Sequence, residues 1–123
     1  MKDFLWVFLG GGLGSALRYG MGLWIRQTPY HIPWATLAAN AVGSLVIGLV
    51  LGGLVKNGTL SQSQGLFWAT GFCGGLTTFS TFAFEQVSLF KNAAMGPLIV
   101  YNLLTYVICI GLLMAGVYIS RIL

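Results

Sequence analysis

The residues best suited to chemistry sit together in one apolar stretch. Gly71-Phe72-Cys73-Gly74-Gly75 leads into Thr77-Thr78-Phe79-Ser80-Thr81-Phe82 and closes at Glu85. Glycines followed by a row of hydroxyl residues disfavour an unbroken helix, because glycine is conformationally loose and Ser and Thr compete for backbone hydrogen bonds. Non-helical backbone deep in a hydrophobic segment survives only where protein or a water-lined cavity satisfies it. Carbonyls freed at such a break can hold a cation such as sodium, as half-helix ends do in transporters. Phe79 and Phe82 are three residues apart and point to nearly the same side of a helix that follows the break. Their ring edges carry partial positive charge and can stabilise an anion without a second charged group. Packing against lipid or another helix is the alternative for the same pair.

Two more polar sets recur at helical spacing. Thr36, Asn40 and Ser44 fall on one face, beside the small residues Ala39 and Gly43. The Asn40 amide offers two N–H donors to an anion, although an interhelical hydrogen bond, worth about 0.6 kcal/mol on average, would also account for it. Tyr101, Thr105 and Cys109 form a second stripe that could line a pathway, with Asn102, Tyr106 and Tyr118 off it. Arg18 lies inside the first apolar run, where it either snorkels to the interface or gathers anions at a vestibule. Glu85 ends the third run, at a place where a simple interface position also explains it.

These groups need a scaffold, and the composition says which. Of 123 residues, 57% are hydrophobic and 7% charged, whereas a soluble domain is roughly a quarter charged. Lipid is therefore the expected solvent. A spanning helix needs about 20 mostly apolar residues, and four stretches qualify, over 4–25, 33–55, 61–84 and 95–120. The reading is an all-α membrane protein, a single four-helix transmembrane domain over 1–123, whose third helix breaks near mid-membrane. A tight loop, Gln27 to Ile32, joins the first two spans, and Pro33 and Pro97 sit where helix starts tolerate proline. Small residues four apart, Gly10 with Gly14, Ala39 with Gly43, Gly48 with Gly52 and Gly71 with Gly75, permit close helix packing. Met1 to Ala16 has some features of a secretory signal, but cleavage there would remove much of the first helix. Cys73 and Cys109 have no His or Cys at metal-ligand spacing and read as small packing residues.

The net charge of +4 sets six cations, Lys2, Arg18, Arg26, Lys56, Lys91 and Arg121, spread singly along the chain, against Asp3 and Glu85. With no basic patch, no nucleic-acid partner is expected. Orientation normally follows Lys and Arg in short loops. Here Lys2, Lys56 and Arg121 oppose Arg26 and Lys91, so the bias nearly vanishes. Copies inserted both ways, paired as an antiparallel dual-topology homodimer, are the expected consequence.

At this level of detail the chain resembles the Fluc-type (CrcB-type) fluoride channels of bacteria and related organisms, over essentially its whole length. The resemblance rests on Gly10-Gly11 with Gly14 and Arg18-Tyr19, on Thr36-Leu37 with Asn40 and Gly43, and above all on Gly71 through Phe82 with Glu85. It implies a dual-topology dimer in the bacterial inner membrane, with two antiparallel pores that export fluoride passively and a sodium ion at the dimer centre. By the same resemblance Phe79 and Phe82 flank fluoride, Asn40 is the pore asparagine, and main-chain carbonyls of Gly74 and Thr77 hold the sodium. Ser80 and Thr81 supply hydroxyls, Arg18 is the vestibule arginine, Glu85 the acid ending the motif, and Tyr101 the pore tyrosine. Thr105 and Cys109 depart from the pattern, standing where serine-type hydroxyls are expected.

The physics suits such a task. Moving a carboxylate-sized ion into a dry medium costs on the order of 20 kcal/mol, and the smaller fluoride costs more, so dense polar contacts must replace its water. No chemical step is required, and no catalytic residue is expected. A small proton-coupled drug exporter would share four helices and dual topology, but it needs a titratable carboxylate within a span, and the only candidate, Glu85, lies at the end of the third. An accessory subunit without transport would have no use for the third-span motif.

Overall fold

The computed structural model describes residues 1–26, 28 and 30–123; Gln27 and Pro29, within the expected 27–32 loop, lie outside the described residues. The described residues form helices joined by short connections, with no strand among them. Helix α1 is Lys2–Trp24. Helix α2 runs from Trp34 to Leu49 and continues as a π-helical turn, Val50–Leu54. Helix α3 has three consecutive parts, Gln62–Gly65, a π-helical Leu66–Cys73 and a last short turn Gly74–Leu76. Helix α4 is Phe79–Lys91 and helix α5 is Met95–Ile122.

Local chemistry explains most of the boundaries. Ser61 and Gln64 form a capping box at the start of α3: the Gln64 N–H donates to Ser61 Oγ at 3.2 Å, and the Ser61 N–H donates to Gln64 Oε1 at 2.9 Å. Pro33 precedes α2, and Pro97 falls in the first turn of α5, where no helical acceptor for its missing N–H exists. Between α4 and α5 only Asn92, Ala93 and Ala94 intervene, with Ala93 at φ 54°. The Asn92 side chain donates to the Ser88 carbonyl at 2.9 Å, and the Ala94 N–H donates to the Leu89 carbonyl at 2.9 Å, closing a tight hairpin.

Two helix pairs form the body of the molecule, α1 with α3 and α2 with α5. Both are glycine seams. A Cβ on Gly10 would strike the Phe67 carbonyl, one on Gly14 the Phe72 carbonyl, and one on Gly75 the Gly11 carbonyl. Across the other pair, Gly48 meets the Leu113 carbonyl and Gly116 the Leu45 carbonyl in the same way. Backbones this close gain dispersion and weak C–H···O contacts, which is how helices associate when lipid removes the hydrophobic drive between them. A smaller apolar cluster of Leu37, Phe82, Leu89 and Tyr101 ties α4 to α2 and α5.

The outer surface is apolar. Phe4, Phe8, Phe84, Phe90, Val107 and Met114 are all exposed, an arrangement that calls for lipid or protein as neighbour. Trp34–Leu54, of 21 residues, and Met95–Ile122, of 28 residues, are each long and apolar enough to cross a membrane.

Candidate functional site

Between Leu76 and Phe79 the chain leaves the helix. Thr77 (ψ 153°) and Thr78 (φ −151°, ψ 124°) are extended. A peptide group here loses its helical partners, and Asn40 on α2 replaces them. The Thr78 N–H donates to Asn40 Oδ1 at 2.8 Å, and Asn40 Nδ2 donates to the Thr78 carbonyl at 3.3 Å. The side-chain amide pairs with the backbone as a neighbouring strand would. Thr78 then caps α4: its Oγ1 accepts from the Thr81 N–H at 3.2 Å and donates to Thr81 Oγ1 at 3.2 Å, with Ser80 Oγ at 3.3 Å. Thr77 Oγ1 turns back and donates to the Cys73 carbonyl at 2.7 Å.

This arrangement frees two carbonyls. In a continuous helix the Gly74 oxygen would accept from the Thr78 N–H, and the Thr77 oxygen from the Thr81 N–H. Both donors are committed elsewhere, to Asn40 and to Thr78 Oγ1. Gly74 is exposed, and a Cβ placed on it would meet nothing within 4 Å. Carbonyl oxygens released from helical bonding are the kind of ligand a hard cation takes.

Cavities flank the interruption. One of 430 Å³ is lined by Asn40, Ser44, Gly74, Thr77, Phe79, Phe82, Thr105 and Cys109, among others. Another of 270 Å³ is lined by Ser15, Arg18, Thr36, Thr81 and Glu85, among others. Thr78 lines both, so the extended segment is their shared wall. Gly43 keeps that wall in place, because a Cβ there would run into the Thr77 methyl. The Thr105 hydroxyl oxygen is buried and has no protein partner, leaving its hydrogen-bonding capacity free.

Glu85 is held from two sides. Thr36 Oγ1 donates to Oε1 at 2.5 Å, and the Tyr101 hydroxyl donates to Oε2 at 2.7 Å. All three residues are buried. The Phe82 ring packs on Tyr101 with centroids 5.1 Å apart, and Phe79 lies 5.9 Å from Phe82 with the ring planes inclined by 37°. The two phenylalanines differ sharply in setting: Phe82 is 7% exposed and Phe79 77%.

A family model described as CrcB-like protein, Camphor Resistance (CrcB), matches residues 5–117. The chain belongs to the CrcB family. It is 41% identical over 122 residues to a protein of Agrobacterium fabrum named Fluoride-specific ion channel FluC, with 98% of each chain covered. A protein of the same name from Beijerinckia indica is 40% identical over 124 residues, again with 98% of each covered. One from Thermus thermophilus is 43% identical over 102 residues, 82% of this chain and 80% of the relative.

Within this CrcB-family chain the residues singled out from the sequence fall into two groups. Asn40, Ser44, Gly74, Thr77, Phe79, Phe82 and Thr105 surround the larger cavity, while Arg18, Thr36, Thr81 and Glu85 surround the smaller. Tyr101 reaches the second group through Glu85, and Ser80, exposed, reaches Thr78. Ser44 Oγ donates to the Asn40 carbonyl of its own helix at 2.7 Å. Thr78, which joins the groups, was not singled out from the sequence as a site residue. Its signal was its position: a hydroxyl residue immediately before a helical run is a preferred N-cap.

Proposed function

We propose that the chain is a fluoride-selective channel that passively exports fluoride across the bacterial inner membrane and so relieves fluoride toxicity. The observation that carries the reading is the 430 Å³ cavity lined by Asn40, Phe79, Phe82 and Thr105, in a chain closely similar to proteins named as fluoride-specific channels. No bond is made or broken, so the protein is a channel and not an enzyme. In this reading the chain crosses the membrane four times, with α3 and α4 as two halves of one span whose interruption at Thr77 and Thr78 lies near mid-membrane. The exposed apolar surface faces lipid and a second copy inserted the opposite way, an antiparallel dual-topology homodimer. The 77% exposure of Phe79 supports that pairing, since a second subunit would cover it.

Each residue has a physical task in moving a bare anion. Arg18 raises the local fluoride concentration at the mouth of the smaller cavity. Ser80, Thr81 and the second Asn40 N–H replace water, and the positive edges of Phe79 and Phe82 add attraction without binding the ion too tightly to leave. Thr36, Ser44 and Thr105 extend the polar lining, and Tyr101 with Glu85 fixes the Phe82 ring. The carbonyls of Gly74 and Thr77 would hold a structural sodium ion, with matching oxygens from the second copy. When bound, that ion supplies positive charge at the centre of the assembly.

Fluoride release from liposomes containing the purified protein, followed with an ion-selective electrode, tests the proposal. Release is expected to be rapid for fluoride and negligible for chloride, and far slower for Phe82→Ile. Equal release by the variant would remove the role of that ring, and release of both halides alike would remove the selectivity.

A further inference from the structure

The contact between Glu85 and Tyr101 is duplicated one residue further along each chain segment. Asn102 Nδ2 donates to Gln86 Oε1 at 2.6 Å and to the Leu98 carbonyl at 3.0 Å. Both pairs, Glu85–Tyr101 and Gln86–Asn102, join α4 to α5 at a sequence separation of 16. The hairpin between these helices turns around Ala93, so the two pairs stand at nearly the same height above the turn. Successive residues on a helix point about 100° apart, which sets the pairs on either side of the line joining the helix axes. One such contact is a pivot, about which α4 can roll. Two together act as a clamp.

The amide pair is also an expensive way to hold two helices. Gln86 Nε2 is buried and has no hydrogen-bond partner, and a buried donor without an acceptor is unfavourable. Two apolar side chains would fill the same space without that penalty. What the amides provide and an apolar pair does not is a preferred direction. The direction matters because Phe82 lies one helical turn before Glu85 and packs on Tyr101 at 5.1 Å. Any roll of α4 moves the ring and the carboxylate together.

We infer that Gln86 and Asn102 are positioning residues, which hold α4 at the rotation where Glu85 meets Thr36 and Tyr101 and Phe82 borders the larger cavity. This rests on the fluoride pathway proposed above. Neither residue touches the ion, and both act through Glu85 and Phe82.

Unitary fluoride current through the full-length protein in planar bilayers provides the test, because it is read one assembled channel at a time and does not depend on folding yield. Gln86→Met keeps the side-chain length while removing both the acceptor and the orphaned donor. It is expected to match or exceed the thermal stability of the parent protein yet to carry about threefold less unitary current, or lower still, a coupling typical of residues in contact. Asn102→Leu is expected to lower the current similarly, and the two changes together no further than either alone. Combined with Tyr101→Phe, each is expected to do less than the product of the separate effects. A merely structural role would lower stability and leave the unitary current unchanged.

Undiminished unitary current in both Gln86→Met and Asn102→Leu would overturn the inference, as would losses that multiply fully with Tyr101→Phe. Absence of fluoride current from the unmodified protein would overturn the pathway and this inference with it. Failure of the amide variants alone leaves the pathway standing.

Discussion

The seams between α1 and α3 and between α2 and α5 differ in kind from the seam along α4. The first two are glycine against carbonyl, with Gly10, Gly14, Gly48 and Gly116 each leaving no room for a Cβ. The seam along α4 adds to its small apolar cluster a set of side-chain hydrogen bonds, from Asn40 to Thr78, from Thr36 and Tyr101 to Glu85, and from Asn102 to Gln86. Close backbone contact sets how near two helices come and the angle at which they cross, but it specifies no side-chain partner. Hydrogen bonds to defined atoms set direction. The molecule thus uses distance to build its body and direction to build its site.

That contrast can be broken most severely at Gly14. Gly14→Val drives a branched side chain into the Phe72 carbonyl, and overpacking typically costs about 1–3 kcal/mol even where side chains can move aside. Backbone cannot, so the expected outcome is loss of most of the monodisperse protein on size-exclusion chromatography in detergent. Recovery at the level of the parent protein would show that the α1–α3 distance is not fixed by these glycines. A smaller global effect with a larger functional one is expected at Asn40. Asn40→Leu strands the part-buried N–H of Thr78, at about 1–3 kcal/mol for an unpartnered donor, and takes one donor from its carbonyl. Fluoride efflux is expected to fall at least about tenfold, since 1.36 kcal/mol corresponds to a factor of ten in rate, while the circular dichroism spectrum stays helical. Unchanged efflux would mean that the extended segment does not depend on its amide partner. The mildest change is Gly12→Ala. With nothing within 4 Å of the added Cβ, stability is expected to stay within the roughly 0.5 kcal/mol range of neutral surface substitutions, read as an unchanged thermal midpoint. A large loss of stability there would show that Gly12 belongs to a covered seam, as Gly14 does.

Much of this arrangement was legible before the structure. The fourfold spacing of Thr36, Asn40 and Ser44 placed them on one face, and the small residues four apart marked the seams, because both follow from helical periodicity alone. Partner choice was not legible. Nothing in the spacing of Asn40 says that its amide closes on the peptide of Thr78, and nothing at Glu85 says that Thr36 and Tyr101 share it, since these pairs lie 49 and 16 residues apart in sequence. The end of α4 also escaped the apolar pattern. Apolarity stops near Phe84, whereas the helix continues through Gln86, Ser88 and Lys91, residues that hydropathy marks as outside a span but that helical geometry accepts. Asn102 and Gln86 were unreadable as a pair, because Asn102 lies off the Tyr101 stripe and Gln86 lies past the end of the third expected span.

The winding of Leu66–Cys73 has a consequence for how this protein can change in length. In a π-helix each hydrogen bond closes a loop one residue longer than in an α-helix, so this stretch holds more chain than its rise requires. Deleting a residue within it can be absorbed by rewinding to ordinary α-helix, with Thr78 still opposite Asn40. The same deletion in Lys2–Trp24, which is α-helical throughout, would turn half the helix by about 100° and carry Gly14 off its seam. The wide turns are slack in the thread, and they mark where residue number can drift while the face presented to the site stays the same.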